Sequence, residues 1–378
     1  MRILVLIAFM VLALPAPAPA WHKYGHMAVA RIAWQQLDAK ERKRIDAILK
    51  AHVHDGIDHY KVYLLAELPT KPMDAITENE WAFARAAVWS DWIRNPKQET
   101  DGLSAKQSES IKTKFHKGPW HYINLPLVHP ADAEFVGAAK LADMRKSRLE
   151  PEFDGKGEPR HVVAALKHAL KNLRDPKGSD ADKAVALCWL MHLVGDVHQP
   201  LHASGLIARA ESLPKTKFEP PPFFEAPEGD AGGNRVAVKP AKDAAAVNLH
   251  FYWDALVFDD RTDFTEFDRR LQQLQRHGDY QPDKLPELKI KEFLAWAEES
   301  HALAKTVAYR KAGNPDSEFL NATPLPKGLS FAQQKQLMRT LDAPVLTPEY
   351  RENATRTAER RIVVAGYRLA VQLKAALR

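Results

Sequence analysis

The segment from Leu190 to His202, LMHLVGDVHQPLH, sets imidazoles and a carboxylate into an otherwise apolar, helix-like run. His192 and Asp196 are four residues apart, so on a helix both side chains leave the same face. Pro200 ends such a helix and brings His202 round beside its last turn. A histidine and an aspartate among Leu, Val and Trp are costly to bury unless each is paired or ligates a metal. The chain is therefore limited to folds that enclose a polar centre. The same spacing recurs in NLHFYWD, where His250 and Asp254 stand one helical turn apart among aromatic residues. One such pair is compatible with an ordinary core hydrogen bond. Two pairs and His202 together point to metal, and nitrogen with carboxylate oxygen suits zinc. The lack of thiolates argues against a structural zinc finger.

The rest of the chain reads as mainly α, a single domain of helices crossing around that buried polar centre. Apolar spacings of three and four predict helices over 25–37, 41–51, 81–93, 161–173, 182–197, 244–256, 267–275, 291–309 and 356–377. Strand-like runs are few: Val236 to Val238, and Tyr122 to Leu125. The stretch 205–228 holds five prolines and ends in PPPFFEAPE, so it reads as a surface loop. No repeat at solenoid spacing is present.

The amino terminus narrows the compartment. Arg2 precedes an apolar run from Ile3 to Leu14, followed by PAPAPA. That run is shorter than the roughly 20 residues a bilayer span takes. A charged start, a short apolar stretch and the ending Ala18-Pro19-Ala20 describe a secretory signal peptide over 1–20, with the functional domain at 21–378. The expectation is a protein exported to the periplasm or secreted, without stable membrane association. Cys188 is the sole cysteine, so no internal disulfide can form, and its apolar neighbours predict a buried, inert thiol. A net charge of +6 over 378 residues describes a surface of mixed sign and selects no partner.

Further candidates carry flanking tryptophans. WSDWIR presents Asp91 near a helix end with Arg94 one turn on, and WHYIN presents His121 on an extended stretch. The start of the domain, WHKYGH, offers His26 and, after cleavage, the α-amine of Trp21. Such an amine titrates near pH 8 and can give up its proton to a metal.

WHKYGHMAVARIA, WSDWIR, WHYIN, HLVGDVHQPLH, GDAGGN and NLHFYWD, in this order, resemble the S1/P1 nuclease family of zinc-dependent enzymes. The blocks run from Trp21 to Asp254, roughly two thirds of the mature chain. The resemblance implies a helical fold with three zinc ions in one cleft. One ion would be held by Asp91, His121, His192 and Asp196; a second by the amine and carbonyl of Trp21, His26 and the other oxygen of Asp196. The third would take His202, His250 and Asp254. It further implies hydrolysis of single-stranded DNA, RNA and 3′-nucleotides to 5′-phosphorylated products, with Asp91 and Arg94 acting on water and phosphate. Tyr122 would stack a base, Asn124 would read its edge, and the turn bearing Asn234 would border the cleft. His198 is expected behind the ligands, orienting Asp196 or an imidazole. Many relatives carry Asp where this chain has Asn124, which bears on base preference. The nearest rival is a zinc-dependent phospholipase C, whose last ligand pair is His-x-x-x-Glu where this chain has His250 and Asp254. A noncatalytic metal-binding helical protein is the other alternative. No protein partner is inferred.

Overall fold

The computed structural model describes residues 21–69, 76–96, 102–217, 229–259, 261–326, 329 and 331–377. Residues 1–20, expected to be a signal peptide, and residues 218–228 of the proline-rich stretch lie outside the described residues.

The longest internal helix, α8 (Asp180–His198), carries the central polar pair, and its buried face continues almost without a break from Ala184 to His198. Ser179 starts it by accepting a hydrogen bond from the Asp182 amide at 3.1 Å, the usual remedy for the orphan donors of a first turn. Around α8 pack α7 (Val162–Arg174), α1 (Lys23–Gln36), α2 (Ala39–Lys50), α11 (Phe293–Leu303) and the 29-residue α13 (Pro348–Ala376). α13 also lies along α1. A continuous core joins these helices: Leu166, Leu187, Leu190, Val194, Ile32 and Leu369 are all buried within it. Removing one such Leu side chain costs about 2–5 kcal/mol. Cys188 sits here, fully buried, and burial pushes its thiol upward in pKa, as expected of an inert packing residue.

Smaller elements complete the body. They are α3 (Glu78–Ala86), α4 (Trp89–Trp92), α5 (Ala105–Phe115), α6 (Ala133–Leu149), α9 (Leu249–Asp254), α10 (Phe264–Arg276) and α12 (Phe331–Met338). The sheets are minor. β1 (Val53–His54) pairs with β2 (Ile57–Asp58), β3 (Leu125–Val128) runs parallel to β4 (Ser204–Ile207), and β5 (Val236–Val238) lies between β6 (Val247–Asn248) and β7 (Thr323–Pro324). Among the described residues no helix is long and apolar enough to cross a membrane.

Several sequence expectations shift. The helix predicted over 244–256 is a short strand followed by six residues of helix. Asn248 makes the change by capping α9, its side chain accepting from the Phe251 amide at 2.7 Å. The strand predicted over 122–125 begins only at Leu125, because Asn124 has a left-handed backbone (φ 49°). His121, expected on an extended stretch, closes a 3-10 turn over Gly118–His121. The predicted surface loop starts as buried strand β4, since Gly205–Ile207 pair with Pro126–Val128 before the prolines begin. The helix predicted over 291–309 ends at Leu303 and continues as a π turn over Ala304–Ala308. Helices α5, α6 and α12 had no counterpart in the sequence reading.

Candidate metal centre

Six segments deliver the polar side chains to one place. α1 supplies His26, α4 Asp91, the 3-10 turn His121, α8 both His192 and Asp196, the 3-10 turn Pro200–Ala203 His202, and α9 His250 and Asp254. The i, i+4 reading holds for both helical pairs: His192 Nε2 lies 3.2 Å from Asp196 Oδ2, and His250 Nε2 lies 3.6 Å from Asp254 Oδ2. α1 approaches α8 closely because Gly195 has no side chain. A Cβ there would meet the His26 ring at 2.6 Å.

The donors form three groups, each with its ligand-type atoms within 4.8 Å of one another. The first joins Asp91, His121 and His192, the second His26, His192 and Asp196, and the third His202, His250 and Asp254. Asp196 spans the first two. Its Oδ2 lies 2.9 Å from His121 Nδ1, and its Oδ1 lies 3.4 Å from His26 Nε2. One carboxylate thus presents an oxygen to either side, the geometry a carboxylate needs to bridge two cations. Trp21 is buried beside this pair, its indole N–H donating to the Gly195 carbonyl at 3.0 Å.

Tautomers follow from the partners. A carbonyl can only accept, so the ring nitrogen facing it must carry the hydrogen. His202 Nδ1–H therefore donates to the His121 carbonyl (2.6 Å), His250 Nδ1–H to the Gly232 carbonyl (2.7 Å) and His192 Nδ1–H to the Ala87 carbonyl (2.8 Å). Burial drives the pKa of His202 well below its ordinary value and that of His250 down to about 4, leaving both rings neutral. Their Nε2 atoms then carry bare lone pairs, and these face each other at 3.0 Å. Two acceptors in that arrangement repel unless a cation lies between them.

The chemistry of the set fits a metal elsewhere too. His26 Nδ1 and Nε2, His121 Nε2, Asp196 Oδ1 and Asp254 Oδ2 are buried and make no hydrogen bond, a rare and costly condition for polar atoms. Burial lowers the pKa of His26 and His121 well below the usual range. It raises Asp196 to about 6 and Asp254 well above the carboxylate range. For His192 burial acts downward, but the neighbouring Asp196 and Asp91 charges prevail and raise it. Neutral imidazoles that orient a second nitrogen on a backbone carbonyl are the form in which histidine ligates zinc.

Residues missed in the sequence hold this set in place. Gln199 donates from Nε2 to Asp254 Oδ1 at 2.8 Å and leaves the other oxygen facing the imidazoles. The GDAGGN turn, expected at the cleft, works from behind His250 through the Gly232 carbonyl. Asp230 pins that turn, accepting from the Leu206 amide at 2.8 Å and the Tyr309 hydroxyl at 2.6 Å. Gly232 has φ 62°, and a Cβ on it would strike the Leu201 carbonyl at 2.2 Å. The doublet of glycine with a pinned aspartate was the available signal. Nothing in the spacing said which carbonyl would meet His250.

The remaining candidates divide. Arg94 Nη2 lies 3.1 Å from Asp91 Oδ1, at the edge of the first group. Tyr122 is half-buried next to His121, and Asn124 is buried two residues further on. The Asn234 side chain donates to the Ala231 carbonyl at 2.9 Å and closes its own turn. His198 corrects the expectation: its bonds go to neither Asp196 nor a neighbouring imidazole. Two residues past Asp196 a helix has turned about 200°, so His198 faces the opposite way. There it bonds the Val194 carbonyl at 2.7 Å and meets Arg368 Nη1 at 2.8 Å.

With this geometry established, comparison with protein families decides the relationship: the family described as S1/P1 Nuclease matches residues 21–378. The chain belongs to the S1/P1 nuclease family. Comparison with curated proteins gives no significant match. Membership carries a nuclease-type hydrolase, an enzyme acting on phosphodiesters, and a family whose members are in general zinc-dependent. The His and Asp groups of this S1/P1 nuclease family member are of the kind that such a dependence requires.

Proposed function

We propose that this protein is a zinc-dependent endonuclease that cleaves single-stranded DNA and RNA, and 3′-nucleotides, to leave 5′-phosphates. The observation that carries this reading is the pair of bare Nε2 atoms of His202 and His250, 3.0 Å apart and backed by carbonyl-bound Nδ1–H groups. Three donor groups support three zinc ions. Asp91, His121, His192 and Asp196 would hold one, and Trp21, His26 and Asp196 a second. His202, His250 and Asp254 would hold the third. Bound zinc would supply Lewis-acid charge, making water nucleophilic near neutral pH and offsetting the charge on the departing oxygen.

The chain's own groups do the rest. Asp91 orients the attacking water with its carboxylate. Arg94, held against Asp91, donates to a non-bridging phosphate oxygen. In-line attack forms the new P–O bond as the P–O3′ bond breaks, and the 3′-oxygen leaves with a proton. Tyr122 stacks an unpaired base and Asn124 meets its edge; duplexes are poor substrates because paired bases cannot enter.

The amine of Trp21 can serve as a ligand only once residues 1–20 are removed, so this reading includes export and signal cleavage. What supports a place for Trp21 at the site is its burial, with its indole on the Gly195 carbonyl. The test is zinc content of the processed protein measured with its activity on single-stranded DNA, duplex DNA, RNA and phosphatidylcholine micelles. Three zinc ions per chain and preference for single strands are expected. One ion or none, or turnover of the lipid alone, overturns the reading.

A further inference from the structure

We propose that Arg361, Arg368, Glu299 and Ser300 form a positioning device that caps the carboxyl end of α8 and sets the register of Asp196 and His202 at the metals. The inference rests on the assignment of those residues as ligands.

A helix leaves its last four carbonyls without an intrahelical donor. In α8 these belong to Gly195, Asp196, Val197 and His198, the turn that carries the bridging carboxylate. Each finds a donor from a different source. Gly195 accepts from the Trp21 indole (3.0 Å), Asp196 from the Gln199 amide (3.0 Å), Val197 from the Ser300 hydroxyl (2.6 Å) and His198 from Arg361 Nε (3.1 Å). The Arg361 Nη2 group also donates to Ser300 Oγ at 2.8 Å, so the last two donors are tied together.

Charge reinforces the geometry. Two guanidinium groups lie at the negative end of the helix dipole, where cations are favoured. Arg361 and Arg368 are almost fully buried, and Glu299 joins them, at 2.9 Å from Arg361 Nη1 and 2.7 Å from Arg368 Nη1. Arg368 reaches the His198 ring at 2.8 Å, which fixes the side chain two residues beyond Asp196. Three helices, α8, α11 and α13, are thereby locked at one point behind the metal groups. A structural core at this position would be met by leucines. Buried arginines aimed at helix carbonyls and at His198 instead set the angle at which α8 ends and the 3-10 turn bearing His202 begins.

The experiment compares Ser300→Ala, Arg361→Met and Arg361→Lys with the unaltered protein. Zinc affinity is read by chelator competition, and ligand geometry by the visible spectrum of the cobalt(II)-substituted forms. Ser300→Ala strands no charge. It is expected to fold and to bind metal about tenfold more weakly, within the range for residues that orient ligands, with a shifted cobalt spectrum. Arg361→Met is expected to lose more, and Arg361→Lys to recover part of that loss. Folded variants with unchanged affinity and spectrum overturn the proposal, and Ser300→Ala decides it if Arg361→Met does not fold. An unaltered protein that binds no metal refutes the ligand assignment instead, so the two failures are distinguishable.

Discussion

The two sides of the candidate metal centre are built on different principles. On one side His26, His192 and Asp196 come from long helices, α1 and α8, whose backbones are hydrogen-bonded internally and buried on both sides. On the other, His202, His250 and Asp254 come from a 3-10 turn and a six-residue helix. The first side takes most of its geometry from helix packing, with one orienting bond, His192 to the Ala87 carbonyl. The second cannot, so it is held by individual bonds: the His121 carbonyl on His202, the Gly232 carbonyl on His250 and Gln199 on Asp254. The difference teaches that precision in a site comes either from rigid elements or from a full set of orienting hydrogen bonds.

Asp196→Asn is the severest test of the helical side. It replaces one of the two oxygens that face separate groups, so turnover of single-stranded DNA should fall by about 10³-fold or more as two metal positions fail together. A variant that keeps its activity and its zinc breaks the bridging assignment. Next in size, a protein carrying one extra residue before Trp21 should lose about 10²-fold, since its amide nitrogen cannot replace an amine as a ligand. Undiminished activity removes Trp21 from the site.

On the loop-built side, Gln199→Ala should weaken only the metal held by His202, His250 and Asp254, by about tenfold. Stepwise zinc titration checks whether the other positions are untouched; equal loss at all three would erase the contrast between the two sides.

The smallest effect is in protons. In the metal-free protein Asp196, raised to about 6, and Asp254, also raised by burial, hold protons that solvent-exposed carboxylates would have lost. His250, lowered to about 4, holds none near neutrality. Metal binding must displace the carboxyl protons, so affinity falls as the pH drops through about 6, while His250 resists until nearer 4. Calorimetry in buffers of different ionisation enthalpy should show proton release on zinc binding, larger at pH 6 than at pH 8. Proton uptake would reverse the assigned shifts.

How legible each part was follows from how local its cause is. His192 with Asp196 and His250 with Asp254 could be read because helical geometry alone brings residues four apart together. Most long helices could be read for the same reason. The boundary at Asn248 and the 3-10 turn ending at His121 were missed, because caps and short turns override apolar spacing locally. α6 was hidden by the non-helical Gly137 within it.

The sequence by itself determined the donor types, their pairing within each helix, the mainly helical fold and, through six ordered blocks, the family. The resemblance also implied that Asp196 serves two groups and that His202 joins His250; the tertiary structure supplied the distances, 2.9 and 3.4 Å from the two Asp196 oxygens and 3.0 Å between the imidazoles. Only the tertiary structure decided that His198 turns away to Arg368 and that Gln199 and Gly232 orient Asp254 and His250. Those contacts join residues up to 170 positions apart. No periodicity within a segment encodes them, because they depend on how packed helices cross rather than on how each one is wound.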